Sequence, residues 1–251
     1  MEEEVRFPNK ENEKLAGFLH KPKNETDKGI VLAHCFTCSR HQKIVRTLCD
    51  ALAEKNFLVL RFDFSGNGDS EGEFEDSTYS KEIQDLTTAV DYISKKGIKK
   101  IAMLGHSMGA TVSILQSSQD PRIKSLCVLA GQSNPKAIKE LFPMQTLEKI
   151  YEEGQTSLTI FGKKVTIKRE FFEDADKQDI KKSLNKFKNP FCIIHGDADT
   201  VIPIKSGKEL YSYANEKKEL KIIKGADHLF SGKDKFEEMK SSVIEWFEKT
   251  I

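Results

Sequence analysis

Short, nearly uninterrupted apolar runs recur along the chain, separated by longer stretches in which apolar residues return every three or four positions. The runs at residues 29–34, 57–62, 101–104, 125–130, 191–195 and 220–223 are too short for helices and are bounded by Gly, Pro or charge. They read as strands, and their lack of alternation predicts a parallel sheet covered on both faces. Between them, residues 41–55 place Ile44, Leu48, Ala51 and Leu52 on one helical face, and residues 80–95 do the same with Ile83, Leu86, Val90 and Ile93. A last stripe runs through Phe236, Met239, Val243, Ile244 and Phe247. Strand and helix in turn predict an α/β fold with a mostly parallel, doubly wound sheet. Val5–Phe7 and Leu15–Leu19 read as an antiparallel hairpin at its edge.

The rhythm breaks at residues 133–189, which delay the strand at 191–195. Residues 156–168 alternate polar and apolar around Phe161, Gly162 and Lys163, a hairpin pattern, with helical segments expected at about 135–152 and 173–185. The expected organisation is a core of residues 1–132 and 190–251, with an inserted cap of helices and a hairpin over 133–189.

Composition narrows the picture. With 38% hydrophobic and 31% charged residues among 251, the chain is expected to be globular and soluble. A net charge of +1 gives no field that would favour nucleic acid or an anionic membrane. Met1 is followed by three glutamates where a secretory leader would carry base, and no apolar run reaches roughly 18 residues, so neither export nor a membrane span is expected. Five cysteines without framework spacing predict reduced thiols and a cytoplasmic location. The oligomeric state is left open.

The candidate chemistry begins at Gly105-His106-Ser107-Met108-Gly109, which follows a predicted strand and opens a predicted helix. A Gly-x-Ser-x-Gly turn in that setting exposes the serine at the carboxyl end of the sheet, its glycines relieving crowding against neighbouring backbone. It also aims the backbone N–H of Met108 at a developing oxyanion. A serine hydroxyl needs an adjacent base, and the base needs a partner that fixes its tautomer. In hydrolases built on such an elbow the acid and then the histidine follow in later loops. After the strand at 191–195 two carboxylates compete. Asp199 is favoured because it lies beyond the turn and can reach back, leaving Asp197 to cap the turn. His228 follows the last strand and is the expected base, whereas His34, His106 and His195 are read as braces for their loops.

The pattern resembles the α/β-hydrolase superfamily over nearly the whole chain. The segment from Arg61 to Phe74, the His195-Gly-x-x-Asp199 motif and the Gly225-x-x-His228 motif are similar to those of cinnamoyl and feruloyl esterase-like hydrolases. Monoacylglycerol lipases and serine aminopeptidase-like hydrolases share the machinery. The resemblance implies an α/β-hydrolase fold and a serine hydrolase that cleaves carboxylic esters, of aryl or cinnamoyl type or with a short acyl group, through an acyl-enzyme, without metal or organic cofactor. A peptidase, a thioesterase or a non-catalytic binding protein on the same fold are the alternatives. It also implies the N–H of Phe36 as second oxyanion donor, from a loop usually written His-Gly-Phe-x-Gly. Here the loop reads His34-Cys35-Phe36-Thr37-Cys38, as in hydrolase domains fused to OsmC-like domains. The Cys35-x-x-Cys38 spacing permits redox or metal chemistry, but no second pair completes a zinc set, and two packed thiols are expected.

Overall fold

The computed structural model describes residues 1–160 and 162–251. Two edge strands, β1 (Glu2–Pro8) and β2 (Lys14–His20), pair antiparallel and lead into β3 (Lys28–Ala33), α1 (Lys43–Glu54), β4 (Leu58–Phe62), α2 (Tyr79–Lys95), β5 (Lys100–His106), α3 (Met108–Ser117) and β6 (Ile123–Leu129). The chain then leaves the sheet through a 3-10 segment (Pro135–Leu141), α4 (Met144–Glu153), the hairpin strands β7 (Gln155–Ile160) and β8 (Lys163–Lys168), α5 (Arg169–Lys177) and α6 (Ile180–Lys186). It returns as β9 (Phe191–Gly196), α7 (Ile204–Tyr213), β10 (Lys218–Ile223) and α8 (Lys233–Thr250). Phe161, at the expected hairpin turn, lies outside the described residues. The single helix expected over about 135–152 is two pieces, because Phe142 is extended ahead of Pro143. The one at 173–185 is also two, the second capped by Asp179, whose carboxylate accepts from Lys182 N–H at 2.9 Å.

The eight-stranded sheet runs β1-β2-β4-β3-β5-β6-β9-β10, antiparallel at β1 and β2 and parallel from β4 onward. Alternate residues of each central strand feed opposite cores. Val31, Met103, Val128 and Ile193 pack with α2, α3, α6 and α7, while Ile30, Leu104, Leu129 and Ile194 pack with α1 and α8. Continuous apolar strands are what two-sided burial demands. The chain moves from β3 outward to β4, then crosses back to β5 on the other side of β3, so the loops after β3 and β5 emerge side by side at the carboxyl edge. The register that sets Ala33 opposite Gly105 places residues 34–38 beside Ser107.

The loop after β3 is held by charge buried beneath it. Arg40 and Asp63 are both almost fully buried and form an ion pair, and Asp63 also accepts from the N–H of Asp69 at 3.0 Å. Gly68 is required there: it sits at φ +54°, and a Cβ would fall 2.1 Å from the Asp63 carboxylate. The Arg61–Phe74 segment thus acts as a bracket for the neighbouring loop. No helix among the described residues is long and apolar enough to cross a membrane.

Candidate active site

Ser107 occupies the turn between β5 and α3 with φ 57° and ψ −120°, a conformation that L-residues rarely adopt. The surroundings enforce it. Ser107 N–H donates to Leu129 O at 2.9 Å, and its own carbonyl accepts from Ala110 N–H at 3.0 Å. The flanking glycines are sterically obligatory: a Cβ on Gly105 would lie 2.4 Å from Gly109 O, and one on Gly109 would lie 2.3 Å from His34 O. Met108 is the first residue of α3, so its N–H is among those a helix leaves without an intrahelical acceptor.

His228, in the loop after β10, reaches back to this turn. Its Nε2 lies 2.9 Å from Ser107 Oγ and its Nδ1 lies 2.8 Å from Asp199 Oδ2. That network sets the tautomer: Nδ1–H donates to the carboxylate, leaving the Nε2 lone pair to accept the serine proton. Asp199 comes from the loop after β9. Its other oxygen accepts from Val201 and Ile202 N–H, each at 2.9 Å. Burial alone would raise the Asp199 carboxyl, but contacts from His195 and His228 and the Ile202 N–H outweigh it and hold the group well below the ordinary carboxylate range.

Three further histidines fix these loops. His34 Nδ1–H donates to Cys35 O at 2.8 Å, while its Nε2 accepts from Phe64 N–H at 3.2 Å. His195 Nε2–H donates to Ile202 O at 2.8 Å. His106 Nε2–H donates to His228 O at 3.0 Å. Asp197 differs from its expected role: instead of capping its own turn, its carboxylate accepts from Gly225 N–H across the gap to the next loop.

Burial, reinforced by the neighbouring His228, lowers the His106 pKa from 6.5 to about 4. The unfolded side chain therefore holds more protons between these values, so stability from neutral His106 is complete above about 6.5 and is lost as pH falls toward 4. The shift corresponds to ~3 kcal/mol. Urea unfolding across this window should show a flatter pH dependence for His106→Gln than for the parent chain. Parallel curves would remove His106 as the source.

Above Ser107 lies a cavity of about 650 Å³, with Phe36, Met108, Ile138, Leu141 and Ile202 in its walls. Phe36 stacks on Phe171 of α5 at 5.3 Å between ring centroids, and Phe171 stacks in turn on Tyr79 at 5.8 Å. Lys163 Nζ donates to Thr37 O at 3.0 Å. The 133–189 excursion therefore grips the loop that carries Phe36. Of its apolar residues, Phe142, Ile150, Phe171 and Phe172 are buried, while Leu141, Met144 and Tyr151 remain exposed.

The expectation for the paired cysteines is also overturned. Cys35 and Cys38 are joined by a disulfide, with Cα atoms 5.3 Å apart, rather than packed as two thiols. The loop turns back so that Cys38 N–H donates to Cys35 O at 3.1 Å, which brings the sulfurs together. Cys49, Cys127 and Cys192 are free and buried. Tyr79 and Gln42, both in the cavity wall, were not singled out by the sequence. Tyr79 stands one helical turn before Ile83, so extending that apolar stripe would have reached it.

The sequence matches the family described as serine aminopeptidase S33 over residues 24–156 and 148–234. Among curated relatives, a putative esterase/lipase 2 of Mycoplasma genitalium is 26% identical, covering 84% of this chain and 85% of that one. A monoglyceride lipase homolog of Monkeypox virus is 25% identical, covering 81% and 82%. The solved structure of Est1E from Butyrivibrio proteoclasticus with ferulic acid bound superposes with a TM-score of 0.87 at 24% identity, covering 98% of both chains.

Proposed function

From the chain's membership of the serine aminopeptidase S33 family of α/β hydrolases, we propose that it is a serine hydrolase that cleaves small carboxylic esters through an acyl-enzyme. The observation that carries the reading is His228 bridging Ser107 Oγ and Asp199 Oδ2 at 2.9 and 2.8 Å. Ser107 is the nucleophile, His228 the general base and Asp199 the group that orients it. As the serine oxygen attacks the ester carbonyl, its proton passes to His228 Nε2. The N–H groups of Phe36 and Met108 hold the oxyanion. His228 then protonates the departing alcohol, and water repeats the sequence on the acyl-serine. These steps use only the chain's own side chains, its backbone and water.

The cavity favours an apolar acyl or aryl group of moderate size, since most of its wall is hydrocarbon and a volume of about 650 Å³ lies in the ordinary range for small-molecule sites. The likeness to Est1E, solved with ferulic acid, supports aryl esters. The names of the Mycoplasma and poxviral relatives support ester cleavage in general. Residues 133–189 serve as a cap that contributes Ala137, Ile138, Glu140, Leu141 and Lys163 to the wall of the cavity. A second reading, removal of amino-terminal residues from peptides, rests on the family's description as serine aminopeptidases.

A panel of p-nitrophenyl acetate, butyrate and palmitate, methyl ferulate and aminoacyl p-nitroanilides separates them. Short-acyl or aryl esters should exceed the anilides in kcat/KM by at least about tenfold, worth ~1.4 kcal/mol in the transition state. Preference for an aminoacyl anilide would transfer the assignment to a peptidase.

A further inference from the structure

The disulfide stands in the wall of the reaction cavity, and two features of its surroundings give it a role. Cys35 and Cys38 both line the cavity above Ser107, whereas the three free cysteines are buried in the core. The crosslinked pair is therefore the one that a small reagent entering the site would meet.

The first feature is Gln42. Its Nε2 donates to Cys38 Sγ at 2.9 Å, and its Oε1 lies 3.2 Å from Cys35 Sγ. In the closed pair the amide donates to one sulfur. With the bond open, the same amide has a donor for a Cys38 thiolate and an acceptor for a Cys35 S–H. One side chain thus offers a group of the right kind to each sulfur in either oxidation state.

The second is Thr37, which lies between the cysteines at φ 59°. A β-branched residue in the left-handed region is an outlier, and such a conformation persists only where its surroundings over-determine it. Here the crosslink, the Cys38 N–H bond to Cys35 O and the Lys163 bond to Thr37 O do so. Opening the crosslink removes one of the three and loosens the Cys35–Cys38 segment, including the Cys35–Phe36 peptide that carries the Phe36 N–H.

We propose that Cys35 and Cys38 form a thiol–disulfide exchange site for a small dithiol, and that the closed form holds the Phe36 N–H in place for the oxyanion. The second half rests on the serine-hydrolase reading; the first does not. A thiolate of the dithiol attacks one sulfur, breaks the Cys35–Cys38 bond and releases the other cysteine as a thiolate, which takes up a proton. The dithiol's second thiolate then displaces the enzyme sulfur and leaves within a cyclic disulfide. Two electrons and two protons pass to the protein, and the cyclic disulfide of the same reagent reverses the exchange.

The test equilibrates the intact protein with reduced or oxidised dithiothreitol, removes the reagent without air, and counts native thiols with N-ethylmaleimide by intact mass. The oxidised form should take no label, and the reduced form two, at Cys35 and Cys38. For p-nitrophenyl acetate, kcat should be at least about tenfold lower in the reduced form, less than the roughly 10²–10³ lost when an oxyanion donor is removed outright, because the N–H is displaced and not deleted. Cys35→Ser with Cys38→Ser should show the low rate whatever the dithiol, and Thr37→Gly should narrow the gap between the two states.

Failure of native dithiol to expose two thiols overturns the exchange site. Equal kcat in the two states overturns the coupling, as does a double-serine variant as fast as the oxidised protein; if that variant does not fold, the two states of the parent chain decide. Two titrating thiols with no ester turnover in either state would uphold the exchange site and overturn the coupling together with the esterase reading.

Discussion

Ser107→Ala is expected to lower kcat for a short p-nitrophenyl ester by on the order of 10⁵ to 10⁶ without loss of the fold. The loss corresponds to ~7–8 kcal/mol of transition-state stabilisation. The substitution removes one oxygen and leaves the backbone bonds that hold residue 107 at φ 57°, namely its N–H to Leu129 O and its carbonyl to Ala110 N–H. His228 then faces a methyl group and has no proton to take. Residual catalysis comes from the oxyanion donors and from binding. Thermal unfolding and circular dichroism should match the parent chain, and a steady-state assay reads the loss. Turnover within about tenfold of the parent would place the nucleophile elsewhere.

Asp199→Asn is expected to cost on the order of 10⁴ in kcat, the size seen when the serine-protease template loses its carboxylate. Asp199 Oδ2 accepts from His228 Nδ1–H at 2.8 Å. An amide that turns its NH₂ toward that nitrogen forces the proton onto Nε2, and the imidazole then presents a donor to Ser107 where an acceptor is needed. KM should change far less than kcat. Asp197→Asn is the matched control: the Asp197 carboxylate binds Gly225 N–H and does not reach His228, so its effect should stay within a few fold. A large loss at Asp197 with little at Asp199 would exchange their roles.

The central strands were legible because burial on both faces leaves few exposed positions and makes most of their residues apolar; all five residues of β4 are buried, the charged Arg61 included. At the sheet edge the signal weakens. β10 begins at Lys218, two residues before its apolar part, because an edge strand tolerates Lys218 and Glu219. α7 carried no apolar stripe to read, since it buries Ser206 and Gly207 beside Leu210. The small residue is needed there: a Cβ on Gly207 would lie 2.9 Å from His195 Nδ1.

The candidate site was legible wherever short-range sterics fix the backbone, as at Gly105 and Gly109, and wherever chain order fixes which loop follows which strand. That logic reached Ser107, Asp199 and His228. Phe36 came through resemblance, because nothing in a Cys-Phe-Thr-Cys string marks one N–H as an oxyanion donor. Arg40 and Asp63 could not be paired from sequence, because their contact follows from β4 lying beside β3. The oxidation state of Cys35 and Cys38 was equally hidden, since a two-residue spacing allows both the open and the closed pair.

Fluorophosphonate trapping followed by peptide mass spectrometry is the most direct measurement. The native chain should take up one phosphonyl group, on the peptide bearing Ser107, at a rate that falls steeply in His228→Ala and vanishes after denaturation. Labelling at another residue, or ester turnover by a chain whose Ser107 stays unmodified, would contradict the account.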